Sequence, residues 1–184
     1  FVITCCFMFL FISLFIEVFG WFFMAIDKPL WAQGLQVVPL LALGNIFLGV
    51  YYNLSIWYKL TDKNNYGAMI TIAGALITIG LNIVLIPSLH YLGAALATFL
   101  CYTFMMLVSY YMGQQYYPVP YATKKLSAYL VIVLVMYGLQ KTILYFFPLL
   151  WLGIIIGFTC IGLFTWLVVW AEQKELSKLF RKAN

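Results

Sequence analysis

Apolar runs of about twenty residues recur along this 184-residue chain, and no other feature constrains its fold as strongly. Only 8% of the residues are charged, whereas a soluble domain carries roughly a quarter. A run of about 20 apolar residues forms a helix that is long enough to cross the hydrocarbon core of a bilayer. The sequence therefore predicts an all-α fold, a polytopic membrane helix bundle.

Hydropathy divides the chain into about six transmembrane segments, which we call A (about 1–24), B (35–57), C (66–87), D (92–113), E (126–147) and F (149–171). The stretch EQKELSKLFRKAN follows as a basic amphipathic tail, 172–184. We expect four helices over 1–113 to form one part and two further helices over 114–171 to form another. Phe1 already lies in an apolar run and is not an initiator Met, so we expect the carboxy-terminal part of a longer protein.

The basic residues are unevenly distributed between the two ends of these segments. If the tail is cytoplasmic, its side holds eight of the ten basic residues, namely Lys59, Lys63, Lys124, Lys125, Lys174, Lys178, Arg181 and Lys182. The opposite side receives Lys28 and Lys141. Because cytoplasmic loops carry an excess of Lys and Arg, both ends of the chain are predicted to face the cytoplasm.

Aromatic residues flank both predicted cytoplasmic connections. The B–C connection is the turn KLTDKNN, preceded by Trp57 and Tyr58, and the D–E connection contains YYPVPY, 116–121. Aromatic side chains at headgroup depth form the belt that is typical of membrane proteins. A lipid-headgroup site at these loops is the alternative interpretation, and we favour the belt.

Segments B and C carry small and polar residues at helical spacing. Steps of three and four keep each set on one helical face: Asn45, Gly49 and Asn53 in B, and Gly67, Thr71, Gly74, Thr78 and Asn82 in C. Such a face either packs closely on another helix or lines a hydrated cavity through which a polar substrate passes. We favour packing for the glycines and threonines, and both interpretations stay open for the three asparagines.

Glu17 interrupts the apolar stretch LFIEVFGWF in segment A. An ionised side chain at the bilayer centre costs about 2.5–3.5 kcal/mol or more, so such residues usually face a bundle interior or water. We therefore predict an ion-coupling or cavity-facing group, with a place near the outer interface as the alternative. The candidate cavity or coupling residues are Glu17, Asn45, Asn53, Thr71, Thr78 and Asn82.

Other classes of function are less favoured by the sequence. One His, no intramembrane Asp and no pair of acids argue against an enzyme, and we predict no catalytic residue, cofactor or metal site. The basic residues are too few and too scattered for a nucleic-acid surface. The cysteines lie inside apolar runs and are predicted to be small buried hydrophobes: Cys5, Cys6, Cys101 and Cys160.

The region of about 30–125 resembles the multidrug/oligosaccharidyl-lipid/polysaccharide exporter superfamily, in particular its O-antigen and polysaccharide flippase-like branch. The resemblance lies in the phrases YYNLSIWYKLT, LNIVLIP followed by GAALAT, and GQQYYPVPY. It implies a protein of two six-helix lobes, often with two further helices, in the bacterial inner membrane. Segments A to D would then complete the second lobe, E and F would be the extra pair, and the N-terminal lobe would be missing.

The resemblance also implies an activity. The full protein would flip an undecaprenyl-pyrophosphate-linked oligosaccharide across the membrane by alternating access, for O-antigen of lipopolysaccharide or another cell-surface polysaccharide. Segments B to D carry no basic residue within the membrane, so any residues that bind the pyrophosphate would lie in the missing part. The alternatives are a drug or metabolite antiporter that is coupled to Na⁺ or H⁺ through Glu17 and, less favoured, a membrane-embedded glycosyl- or acyltransferase or a structural helper.

Overall fold

The computed structural model describes residues 1–27, 31, 34–116, 118, 123–147 and 149–183, with side chains up to Gln173. Lys28, the tail lysines and arginine, and most of YYPVPY lie outside the described residues or side chains. Within the described part the fold is all-helical, without strands, and its helices are α1 (Val2–Leu14), α2 (Ile16–Ala25), α3 (Val38–Leu54, preceded by a short 3-10 turn Leu35–Val37), α4 (Ile56–Leu60), α5 (Asn64–Tyr116), α6 (Thr123–Phe146) and α7 (Leu150–Ala183).

Among the described residues, four helical stretches are long and apolar enough to cross a membrane: Leu35–Leu60, Asn64–Tyr116, Thr123–Phe146 and Leu150–Gln173. The pair α1 and α2, taken as one broken span, makes a fifth. The predicted all-α fold is confirmed, and these helices indicate a multi-pass membrane protein.

Helix α5 is a helical hairpin, which explains its length of 53 residues. His90 has non-helical backbone angles (φ 49°, ψ −126°) and separates two arms, 64–89 and 91–116, that contain the predicted segments C and D. Pro87 lies just before the bend and lacks a backbone donor. Gly93 follows it, where a Cβ atom would overlap the Leu85 carbonyl, so only glycine allows this close turn.

Helix α3 packs against this hairpin, and the residues Phe19–Lys124 form a compact unit, which we call the hairpin unit. Its core contains Tyr51 from α3, Ile70 from the first arm, and Cys101 and Met105 from the second arm. Gly44 brings α3 close to the backbone of Phe99. Three helical stretches therefore share one apolar core.

The second compact unit consists of Ile3–Val18 together with Lys125–Asn184, and we call it the terminal unit. Three pairs of aromatic side chains connect α1, the adjoining Phe15, α6 and α7: Phe9 with Tyr137, Phe15 with Phe158, and Tyr129 with Phe164. The predicted division of the chain after residue 113, into four helices and two further helices, stays a prediction. The two compact units reflect which helices pack together and do not test the predicted lobes.

Helix α7 runs for 34 residues, about 51 Å at 1.5 Å per residue. The hydrocarbon core of a bilayer is about 30 Å thick. The predicted tail therefore begins as a direct continuation of the last apolar helix rather than as a separate element.

Candidate functional site

Asn45 and Asn53 lie on one face of α3, eight residues apart. Both are exposed, and Asn53 donates its side-chain amide to the Gly49 carbonyl at 3.0 Å. Asn45 lies near the middle of α3, and its side chain has no hydrogen-bond partner among the described residues. Because an unpaired amide in a purely apolar medium costs about 4 kcal/mol or more, this face requires water or a polar partner.

The glycines of the stripe on the first arm of α5 lie in contacts between helices. A Cβ atom at Gly67 would come within 2.7 Å of the Tyr58 ring, and one at Gly74 within 2.8 Å of the Met105 sulfur. The Cys101 thiol donates to the Gly74 carbonyl at 3.2 Å. These are the contacts of closely packed helices.

The polar members of the same stripe differ in how their side chains are satisfied. Thr71 and Thr78 donate to carbonyls one turn earlier in their own helix, each at 2.9 Å, and Thr71 also lies 3.4 Å from the Tyr51 hydroxyl. The buried Asn82 Oδ1 has no partner within the described part of the chain. The structure thus satisfies the two threonines locally and leaves Asn82 unsatisfied.

In the terminal unit, Glu17 forms an ion pair with Lys141, at 2.5 Å between carboxylate oxygen and ammonium nitrogen. Their side chains are 49% and 38% exposed. Lys141 lies about 27 Å along α6 from its first residue, near the opposite end of a span of about 30 Å. The pairing offsets part of the cost of each charge, and the role of Glu17 as an ion-coupling or cavity-facing group stays a prediction.

Gln140 is a buried polar residue that the sequence analysis missed. Its side chain is 1% exposed, and its amide nitrogen donates to the carbonyls of Leu14 at 2.9 Å and Gly153 at 3.1 Å. The chain is broken at Phe15, where the Val18 N–H bonds the Phe15 carbonyl instead of that of Leu14. Gln140 therefore supplies a donor that the broken helix lacks; its one signal in the sequence is an isolated amide in an apolar segment.

A second ion pair lies at the other end of α6. The Glu172 carboxylate accepts from the Lys125 ammonium at 2.6 Å and from the Tyr129 hydroxyl at 2.9 Å. Lys125 and Lys141 are about 24 Å apart along the helix. Charged groups thus bracket an apolar stretch of α6 that is close to the thickness of the hydrocarbon core.

An aromatic group with one cation lies where α4 meets α5, and we call its residues Trp57, Lys63, Tyr66 and Tyr116 the junction cluster. Trp57 stacks on Tyr116, with ring centroids 5.6 Å apart and an interplanar angle of 13°. The Tyr66 and Tyr116 hydroxyls are 3.1 Å apart. The Lys63 ammonium lies 3.8 Å from the Tyr116 ring centroid, a cation–π contact.

Two backbone features position the junction cluster. Asp62 adopts a left-handed conformation (φ 54°), which turns the chain between α4 and α5. Gly113 leaves room for Trp57, since a Cβ atom there would lie 2.9 Å from the indole ring. The junction cluster therefore joins α4 to both ends of the hairpin.

Among the residues that the structure describes, no group of three or more His, Cys, Asp or Glu side chains could hold a metal ion. Cys6 and Cys101 are buried, while Cys5 and Cys160 are partly exposed, and all four are free thiols. No protein-family model, curated protein or solved structure matches this chain. The resemblance to polysaccharide exporters therefore stays a hypothesis that rests on the sequence phrases alone.

Proposed function

We propose that this chain is part of a transporter that flips a lipid-linked oligosaccharide across the bacterial inner membrane for cell-surface polysaccharide biosynthesis. The observation that carries the proposal is the polar face of α3, where Asn45 lies exposed and unpaired near the middle of a stretch that is long enough to span the membrane. Polar side chains at such depth usually face a water-filled cavity or a functional partner. The sequence phrases that resemble polysaccharide exporters support the same proposal, because in that class of protein such a cavity carries sugars.

The proposed mechanism requires no bond chemistry. Sugar hydroxyl groups lose hydrogen bonds to water when they enter the hydrocarbon, and each loss costs free energy. The amides of Asn45 and Asn53, together with cavity water, offer donors and acceptors in place of those lost bonds. The cavity would alternate between the two sides of the membrane, and its other wall would come from the first lobe that the resemblance implies.

The topology that accompanies this proposal has six crossings: α1 with α2 as one broken span, α3 with α4, the two arms of α5, α6, and α7. Both ends of the chain then lie in the cytoplasm, in agreement with the distribution of Lys and Arg. The bracketing ion pairs of α6 support the register of this helix in the bilayer.

An antiporter driven by Na⁺ or H⁺ is the second candidate, and the half-exposed pair of Glu17 and Lys141 favours it. A proton or a sodium ion would compete with the Lys141 ammonium for the Glu17 carboxylate, which would link ion binding to the contact between α2 and α6. Transport by a Glu17→Gln variant separates the candidates. An unchanged rate and ion dependence would exclude Glu17 as the coupling group.

Cysteine accessibility in the full-length protein tests the leading proposal. In a background without native cysteines, Asn45→Cys is expected to react rapidly with a membrane-impermeant thiol reagent, because it faces water. Ile79→Cys is the matched control, since Ile79 is exposed on the apolar surface of the hairpin and is expected to face lipid. Equal, slow labelling of both positions would refute the cavity face.

Activity supplies a second measurement on the same residue. Asn45→Leu is expected to reduce export of the lipid-linked oligosaccharide by the full-length protein while the amount of protein in the membrane stays unchanged. Full export by this variant would contradict a role of the α3 face in substrate passage.

A further inference from the structure

The junction cluster is more ordered than an aromatic belt needs to be. A belt requires only that aromatic rings lie at headgroup depth. Here the Lys63 ammonium is held against one ring, beside the paired hydroxyls of Tyr66 and Tyr116. An ammonium has three N–H donors, and the ring occupies one side of it, so donors remain for an acceptor from outside the chain.

The surroundings of the cluster combine positive charge with apolar surface. Lys59 is exposed on α4, one turn before Lys63, and Asp62 is the one acid in this turn. Ile56 and Leu60 expose their side chains on the same short helix. Cations next to exposed apolar side chains are suited to the boundary between lipid tails and phosphate headgroups.

A separate observation is a buried donor in the cluster whose partner does not lie among the described residues. Trp57 is only 2% exposed, and its indole nitrogen has no hydrogen-bond partner among the described residues. Buried donors of this kind are nearly always bonded to protein or to an ordered molecule. The donor belongs to a ring that stacks directly on Tyr116, which is the ring that holds Lys63.

We propose that the junction cluster binds the phosphate of an anionic phospholipid headgroup at the membrane surface. The Lys63 ammonium supplies the charge, and whichever of the Tyr66 and Tyr116 hydroxyls does not donate to the other donates to a phosphate oxygen. A water that accompanies the headgroup accepts from the Trp57 indole. Ile56 and Leu60 lie along the acyl chains. The site binds a phospholipid of the surrounding membrane, so this proposal does not depend on the proposed transport activity.

The test is a lipid titration of the intact chain, purified in detergent, followed by native mass spectrometry. We expect tighter binding of phosphatidylglycerol than of phosphatidylcholine. Because the Lys63 ammonium would make a charge-assisted hydrogen bond to the phosphate, Lys63→Gln is expected to weaken phosphatidylglycerol binding by about tenfold, more than the loss of general surface charge alone. Tyr66→Phe, which keeps the ring and removes the hydroxyl, is expected to cause a smaller loss, and Lys63→Arg is expected to retain binding.

Lys124→Gln is the matched control, because it removes the same charge on the same predicted side of the membrane but outside the cluster. Equal losses in the Lys63→Gln and Lys124→Gln variants would reduce the effect to general surface charge and overturn the site. Equal affinity for the two lipids would do the same. Displacement of the lipid by inorganic phosphate at a comparable concentration would show a site for free phosphate and overturn the lipid assignment.

Discussion

The hairpin unit and the terminal unit hold their helices together in different ways. In the hairpin unit, glycines allow close approach, and a Cβ atom at Gly67, Gly74, Gly93 or Gly113 would come nearer than 3.0 Å to a neighbour. In the terminal unit, the corresponding contacts at Gly153 and Gly157 are looser, at 3.3 Å, and polar side chains connect the helices instead.

The two units also differ in whether their side-chain amides are hydrogen-bonded. Gln140 of the terminal unit is buried and donates to two carbonyls, whereas Asn45 of the hairpin unit is exposed and unpaired within the described structure. A paired amide stabilises the contact between helices, and an unpaired one is available to another molecule. The comparison therefore separates a polar group that is used within the fold from one that the fold leaves available, as the proposed function requires.

The largest effect is expected where close approach involves backbone atoms. Gly93→Ala places a methyl group on the Leu85 carbonyl, which cannot move without opening the hairpin, and we expect a loss of about 3 kcal/mol in stability. Gly80→Ala is the control, because nothing lies within 4 Å of that position, and it is expected to stabilise the helix by up to about 1 kcal/mol. Unfolding in detergent micelles measures the stability of both variants. Equal effects would show that close packing at glycine does not distinguish the hairpin unit from the terminal unit.

An exchange of amide for leucine in each unit gives the next largest effect. Gln140→Leu leaves the Leu14 carbonyl buried without its donor, so we expect a loss of about 2 kcal/mol. Asn45→Leu removes no hydrogen bond seen in the structure and is expected to change stability by less than about 0.5 kcal/mol. If the same unfolding assay gave equal losses for both variants, the distinction between structural and functional amides would be wrong.

The smallest effect is expected for the ion pair. Since Glu17 and Lys141 are both partly exposed, their interaction is screened, and we expect a coupling of about 0.5 kcal/mol between them. A double-mutant cycle of Glu17→Gln and Lys141→Met measures this quantity. A coupling of several kcal/mol would indicate that the pair lies away from water. The pair would then stabilise the contact between helices, as Gln140 does.

Much of the helical architecture could be predicted because apolar run length is a local property. The spacing of the stripe on the first arm of α5 also placed its glycines on a packed face. The partner of Glu17 could not be predicted in this way, because Lys141 is 124 residues distant and no local pattern connects the two. Gln140 was missed for the same reason: its importance depends on a helix break in another part of the chain.

The sequence by itself determined that the chain forms long apolar helices, that the chain turns near the polar segment KLTDKNN, and that polar residues recur at helical spacing. Only the tertiary structure decided which polar groups are satisfied. Gln140 donates to two carbonyls, Lys63 makes a cation–π contact with an aromatic ring, and Asn45 has no hydrogen-bond partner within the described residues. Hydropathy and periodicity act within one helix, whereas hydrogen bonds and ion pairs depend on which helices come together.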